Sequence, residues 1–214
     1  MGEPSNYVLE LFPIPVSVSF LDSVDILSVR DLAVQSTMES SGYSNRDRNW
    51  QSSSLSVLDS MPQTRIAVEQ EVLKFKNEIL NCHDTDFAFT TSWFTKTSTG
   101  GSSDWHDHRN SWISGCLYLD EGEGWGQFAI EAPINAKHSL LVEPSSFNKF
   151  SGSMYTVNPV AGQLLLFPSH LRHRIMCHHG KGDRYSLAFN TFPVGLFGRR
   201  DSSIRVNVYN GTDT

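Results

Sequence analysis

From residue 86 to residue 193 the chain is a succession of short runs rich in β-branched and aromatic residues, cut by Gly, Pro and Asn. They read FAFTTSWFTKTS, ISGCLYLD, GWGQFAIEA, QLLLFPSHL and RYSLAFNTF. Runs of this kind with turn residues between them predict strands, and a series of them predicts a sandwich or barrel. This series limits the fold most: the C-terminal part is an all-β body.

Two of the strands have distinct faces. Alternate residues of a strand point to opposite sides. In ISGCLYL, Ser114, Cys116 and Tyr118 share one face, and Ile113, Leu117 and Leu119 share the other. A strand between a polar cavity and a packed helix has this pattern, and so does an edge strand with one solvated face. In RYSLAFN, Arg184, Ser186, Ala188 and Asn190 lie opposite Tyr185, Leu187 and Phe189. An arginine in a strand is commonly solvated or ion-paired. Facing inward with a serine two residues on, it becomes a carboxylate receptor, with a bidentate guanidinium and an added hydroxyl.

The N-terminal part differs. Val16, Val18 and Phe20 alternate with Ser17 and Ser19, which predicts a strand ending the stretch 11–20. Residues 22–38 carry Ile26, Val29 and Val34 with acids early, and predict a helix. Val68, Val72, Phe75 and Ile79 form one stripe at spacings of four, three and four, predicting a helix over 62–81 with Pro62 in its first turn. Residues 39–60, rich in Ser, Asn and Arg, read as a loop. The expected organisation is one domain over 1–214: helical support about 1–85, a β core about 86–193 and a tail 194–214.

Composition narrows the function. With 39% hydrophobic and 19% charged residues, the 214-residue chain suits a globular protein with a real core. A net charge of -6 and a pI near 5.7 give no basic footprint, so nucleic acid is not the favoured partner. A local patch at Arg172, Arg174 and Lys181 is still available. Three widely spaced cysteines without a CxxC pair point to a reducing compartment, hence the cytoplasm. The N-terminus lacks the features of a signal peptide, and Asn6 stands where a myristoylation site needs Ser or Thr. No apolar run reaches the ~20 residues that span a bilayer. NGT at Asn210 matches a glycosylation acceptor, but without secretion it has no role.

The histidines supply the chemistry. If WHDHR is extended, His106 and His108 point the same way and Asp107 the other. Alone, such a pair is as well explained by surface histidines as by a metal. In VAGQLLLFPSHLRHR, Gly162 supports a turn, Leu164 to Phe167 form a buried-type run, Pro168 ends it, and His170 and His173 follow. Ten residues separate His173 from Arg184. His170 is expected at a cavity mouth and His178 and His179 in solvent, while His83 and His138 have no partner pattern. Trp93, Trp105 and Trp112 are candidates to frame a substrate entrance, and Cys116 reads as a small core residue.

An early HxH, a distant His, ten residues and then Arg-x-Ser resemble the iron(II)- and 2-oxoglutarate-dependent dioxygenase superfamily. The residues concerned are His106, His108, His173 and Arg184 to Ser186. Tyr118-Leu119, GWGQF from Gly124 to Phe128 and AGQLLLFPSHLRH resemble its prolyl-hydroxylase-like branch. More narrowly, Phe12 to Pro15, His106 to Tyr118, Gly162 to His173 and Arg184 to Asn190 are similar, in order, to a small bacterial and phage group of such oxygenases. The resemblance implies a mainly β fold, a double-stranded β-helix (jelly roll) with supporting N-terminal helices. It implies iron(II) at His106, His108 and His173, and 2-oxoglutarate with its far carboxylate on Arg184 and Ser186, Tyr118 being a third partner. It also implies O2 as oxidant, release of succinate and CO2, and hydroxylation of a C–H bond in a protein, nucleotide or small metabolite.

The chain departs from the superfamily at one ligand, for most members use two histidines and a carboxylate. A three-histidine site, a His106–His173 pair completed by water, and a bulge that turns Asp107 inward are all open. Two other functions are also open. One is a non-catalytic β-helix that binds a ligand with an impaired metal site. The other is a cupin-like three-histidine dioxygenase without 2-oxoglutarate.

Overall fold

Two antiparallel sheets face each other, and the larger has helices on its back. The computed structural model describes residues 8–10, 12–41, 48–133, 144–146 and 148–208. His138, Asn6, Asn210 and part of the 39–60 stretch lie outside the described residues. The strands are β1 Ser17–Phe20, β2 Met38–Ser40, β3 Asn49–Ser52, β4 Asp86–Thr97, β5 Ile113–Tyr118, β6 Phe128–Glu131, β7 Met154–Val157, β8 Gln163–Pro168, β9 His173–Ile175, β10 Arg184–Phe197 and β11 Ile204–Val206. The helices are α1 Ile26–Gln35 and α2 Pro62–Lys74. The major sheet runs β1-β8-β5-β10-β4-β3-β2, with β11 paired to β10, and the minor sheet runs β7-β6-β9. The runs of short strands predict a sandwich or barrel, and this arrangement is the jelly roll that the resemblance implies.

The predicted faces hold. Ile113, Leu117, Leu187 and Phe189 pack with Val29 and Ala33 of α1 and Val68 and Val72 of α2 in one core. Cys116 and Tyr118 point the other way, into a second cluster between the sheets with Phe128, Leu165 and Phe167. β5 and β10 are thus greasy toward the helices and polar toward the space between the sheets. Gly162, at φ 81°, makes the turn into β8 that an L-residue would strain.

The N-terminal part differs from its sequence reading in three places. The stretch 39–60 is no plain loop: β2 ends in it, β3 pairs with β4, and a 3-10 turn covers Val57–Ser60. Serine hydroxyls tie it down, Ser52 accepting from Phe94 N at 3.0 Å and Ser92 from Leu58 N at 2.9 Å. The second helix is α-helical only to Lys74 and ends in a π turn, Phe75–Ile79, which leaves Ile79 exposed. In β1 the alternation is present, but Val18 and Phe20 are half exposed. Val18, opposite Leu165, lies on β1, an edge strand of the major sheet. Beyond Pro193, β10 continues to Phe197. No described helix is long and apolar enough to cross a membrane.

Candidate active site

His106 and His173 form an isolated antiparallel bridge. His106 N donates to His173 O at 3.0 Å and His173 N to His106 O at 2.9 Å. Two residues on, His108 N donates to Ser169 O at 2.9 Å. Backbone bonds to the 169–173 segment therefore aim both early histidines at the third, without a regular strand. The ring centroids lie 4.4 Å (His106–His173), 5.1 Å (His108–His173) and 5.3 Å (His106–His108) apart. Their ligand-capable nitrogens all lie within 4.8 Å of one another. Two nitrogens on one ion sit no more than about 4.2 Å apart, so at most a small inward rotation completes the set.

The tautomers suit a metal. His106 Nδ1 lies 2.8 Å from Asp104 O, and His173 Nδ1 lies 2.8 Å from Leu171 O. A carbonyl only accepts, so Nδ1 carries the hydrogen and Nε2 keeps its lone pair. Phe128 stacks on His173 at 5.0 Å and 19°, and Phe167 meets its ring at 4.8 Å. Burial first, then the neighbouring His106, pulls His108 down to about 4 and His173 down to about 3. Both are neutral at pH 7, the state in which imidazole ligates.

Asp107 lies outside this group. It is half-buried and its Oδ1 accepts from Arg109 Nε at 3.3 Å. The triad opens on two cavities. The inner one, about 290 Å³, is lined by Thr95, Thr97, Cys116, Phe167, Ser186 and the histidines, among others. The outer one, about 770 Å³, has Trp105, Arg109, Arg172 and Asn190 in its wall.

Beyond Ser186, on the same face of β10, stands Arg184. It is 1% exposed, and neither Nε nor Nη2 has a hydrogen-bond partner. The Tyr118 hydroxyl is likewise buried and unpaired, with the guanidinium 5.0 Å over its ring. Burial pushes the Tyr118 phenol well above its usual range, so it stays a neutral donor. Ser186 Oγ lies 2.6 Å from Thr95 Oγ1. Buried polar groups are normally hydrogen-bonded, so an orphaned guanidinium and hydroxyl side by side have the donors to receive an anion. The donors present fit a dicarboxylate at this end of the cavity and a metal at the histidines.

Other expectations resolve unevenly. Trp93 lines the inner cavity and meets the His108 ring edge-on at 5.9 Å, and Trp105 lines the outer one. Trp112 packs against the helix-side core instead. His170 is exposed and lines neither of these cavities. His178 is not solvated but fully buried, bonded from Nε2 to Gly182 O at 3.0 Å and edge-on to Trp125. Gly180 allows this, since a Cβ there would sit 2.3 Å from the Trp125 ring. Sequence reading missed Thr95, Thr97, Phe128 and Phe167 as cavity residues. The alternation of Thr91, Trp93, Thr95 and Thr97 along β4 was the available signal.

Residues 91–190 match the family described as "Putative 2OG-Fe(II) oxygenase". No curated protein matches the chain in sequence. Among solved structures, HygX from Streptomyces hygroscopicus with nickel and 2-oxoglutarate bound aligns at TM-score 0.61 and 14% identity, covering 84% of this chain and 83% of that one. A prolyl hydroxylase from Trichoplax adhaerens, in complex with a hypoxia inducible factor peptide, aligns at 0.58 and 14%, covering 83% of each. A Pseudomonas putida prolyl-4-hydroxylase aligns at 0.51 and 20%, covering 83% and 92%. At these identities the structural likeness is one of fold, and the matched segment contains every residue of the triad and the anion receptor. The segment 91–190 thus resembles the 2OG-Fe(II) oxygenases, and the chain shares the fold of solved members of that group.

Proposed function

We propose that the chain hydroxylates a C–H bond of an organic substrate while 2-oxoglutarate is converted to succinate and CO2. The single observation that carries this reading is Arg184, a buried cation with two unpaired donors, two residues along one strand face from Ser186, which lines the same cavity as the histidine triad. A buried charge without its partner is costly, and a dicarboxylate supplies the partner. A three-histidine dioxygenase without 2-oxoglutarate has no use for it.

The residues divide the work. His106, His108 and His173 would hold iron(II), which when bound with 2-oxoglutarate supplies the activation of O2. Arg184 pairs with the far carboxylate, and Tyr118 and Ser186 add hydroxyl donors. Phe128 and Phe167 fix the His173 ring and keep water from it. Substrate enters from the outer cavity past Trp105 and Asn190. The free cysteines Cys82, Cys116 and Cys177 suit a reducing, cytoplasmic setting.

An anaerobic titration tests the reading. Iron(II) followed by 2-oxoglutarate should produce the visible charge-transfer band of the chelate. Absence of both band and bound metal would sink the proposal and favour a non-catalytic binding module. Iron content should fall to background in His108→Ala and His173→Ala and persist in Asp107→Ala. Normal iron in His108→Ala would return the third ligand to Asp107 or water.

A further inference from the structure

The charge inventory of the site is lopsided. The candidate ligands are three imidazoles, none of which brings a negative charge to a metal. Arg184 adds a buried positive charge whose Nε and Nη2 have no hydrogen-bond partner among the described residues. Lys96 also borders the inner cavity, but it is paired with Asp183 at 2.9 Å. Asp107 is the only carboxylate in that cavity's described lining, and Arg109 already engages it. A divalent ion entering alone meets no negative ligand, and the unpaired guanidinium of Arg184 stands two residues along β10 from Ser186, which lines the cavity. A dicarboxylate entering alone meets Arg184 but no partner for its other end.

We infer that this chain takes up its metal and 2-oxoglutarate as a coupled pair, each binding weakly without the other, because His108 leaves the site without an anionic ligand. The inference rests on the proposed function. The dianion satisfies Arg184 at one end and offsets the metal's charge at the other, which neither the triad nor Asp107 does. Coupling between two ligands is reciprocal, so each raises the affinity of the other by the same factor. Any chelating acid adds donor atoms to a metal and gives some coupling. The excess in this chain is set by His108, and restoring a carboxylate there should remove the excess.

Calorimetry on the whole chain with nickel(II) and 2-oxoglutarate reads this without turnover. The wild type should bind nickel on the order of 100-fold more tightly with saturating 2-oxoglutarate, toward the upper end of typical couplings. In His108→Asp, nickel alone should bind more tightly, and the coupling factor should drop by about tenfold or more. Pyruvate, which lacks the far carboxylate, should raise nickel affinity less than 2-oxoglutarate does. If His108→Asp does not fold, Arg184→Met carries the test, because removing the repelling cation should itself tighten nickel binding. Joint binding with the same coupling in wild type and His108→Asp, or unchanged nickel affinity in Arg184→Met, overturns this inference alone. A wild type that never binds nickel and 2-oxoglutarate together overturns the proposed function with it.

Discussion

Among the described residues, two of the lysines and arginines are buried almost completely, Lys76 at 2% exposure and Arg184 at 1%. Lys76 sits in the π turn after α2. Its ammonium donates to Asn77 Oδ1 at 2.6 Å, Cys82 O at 2.8 Å and His83 O at 3.3 Å. Three donors meet three acceptors, and the chain has wrapped its own backbone around the charge. Arg184 lies on a central strand, and two of its donor atoms are unpaired. Burial and charge are alike, but only one shell is complete. A completed shell suits a cation that holds the fold together, and an open shell, two residues from the cavity-lining Ser186, suits the ligand-binding role proposed for Arg184.

The largest expected effect comes from Arg184→Met. Truncating one side of a buried charge pair costs about 2–5 kcal/mol of binding, so 2-oxoglutarate affinity should fall by about 30-fold or more. The ligand-free melting temperature should hold or rise, because an uncompensated charge has gone. Calorimetry and a thermal scan give both numbers. A clear drop in ligand-free stability would mean that Arg184 is structural like Lys76, and the contrast would collapse.

Lys76→Met should behave the opposite way. It leaves the Cys82 and His83 carbonyls without their donor, at about 1–3 kcal/mol of stability. Melting should fall by several degrees, at roughly 2–4 °C per kcal/mol for a domain of this size. Affinity for 2-oxoglutarate should not change, since Lys76 and its partners Asn77, Cys82 and His83 sit in and just after the π turn, off the strands β4, β5 and β10 that carry cavity residues.

The two cations also show what a sequence can reveal. Arg184 was legible because it sits in a strand with period-2 alternation: Ser186 two residues on shares its face, and the greasy partners Tyr185, Leu187 and Phe189 indicate which face is which. The triad was legible as a pattern of residue types in order. Its geometry was not, since His106 and His108 are aimed by backbone bonds to His173 and Ser169, 60 or more positions away. Lys76 gave no signal. It lies in a stretch that reads as ordinary helix, and only the π turn brings the 82–83 carbonyls onto it. His178 misled for a related reason. Its Gly-rich turn reads as solvated, but Gly180 clears room for Trp125, which covers the imidazole. Local periodicity survives folding, whereas contacts made by turns and glycine clearances are tertiary.

Tyr118 sharpens the comparison at its smallest scale. Its hydroxyl is unpaired beside Arg184, while Ser186 on the opposed strand already has Thr95 as a partner. If the open shell includes the phenol, Tyr118→Phe removes one neutral donor from the receptor and nothing from the empty protein. One hydrogen bond is worth about 0.5–1.5 kcal/mol net, which is roughly a threefold to tenfold loss of 2-oxoglutarate affinity. Ligand-free stability should stay level or improve slightly, because a buried unsatisfied hydroxyl is itself a cost. Unchanged affinity in Tyr118→Phe would confine the receptor to Arg184 and Ser186. Lost stability would show that the hydroxyl has a partner in the empty protein, so that Arg184 alone stands open.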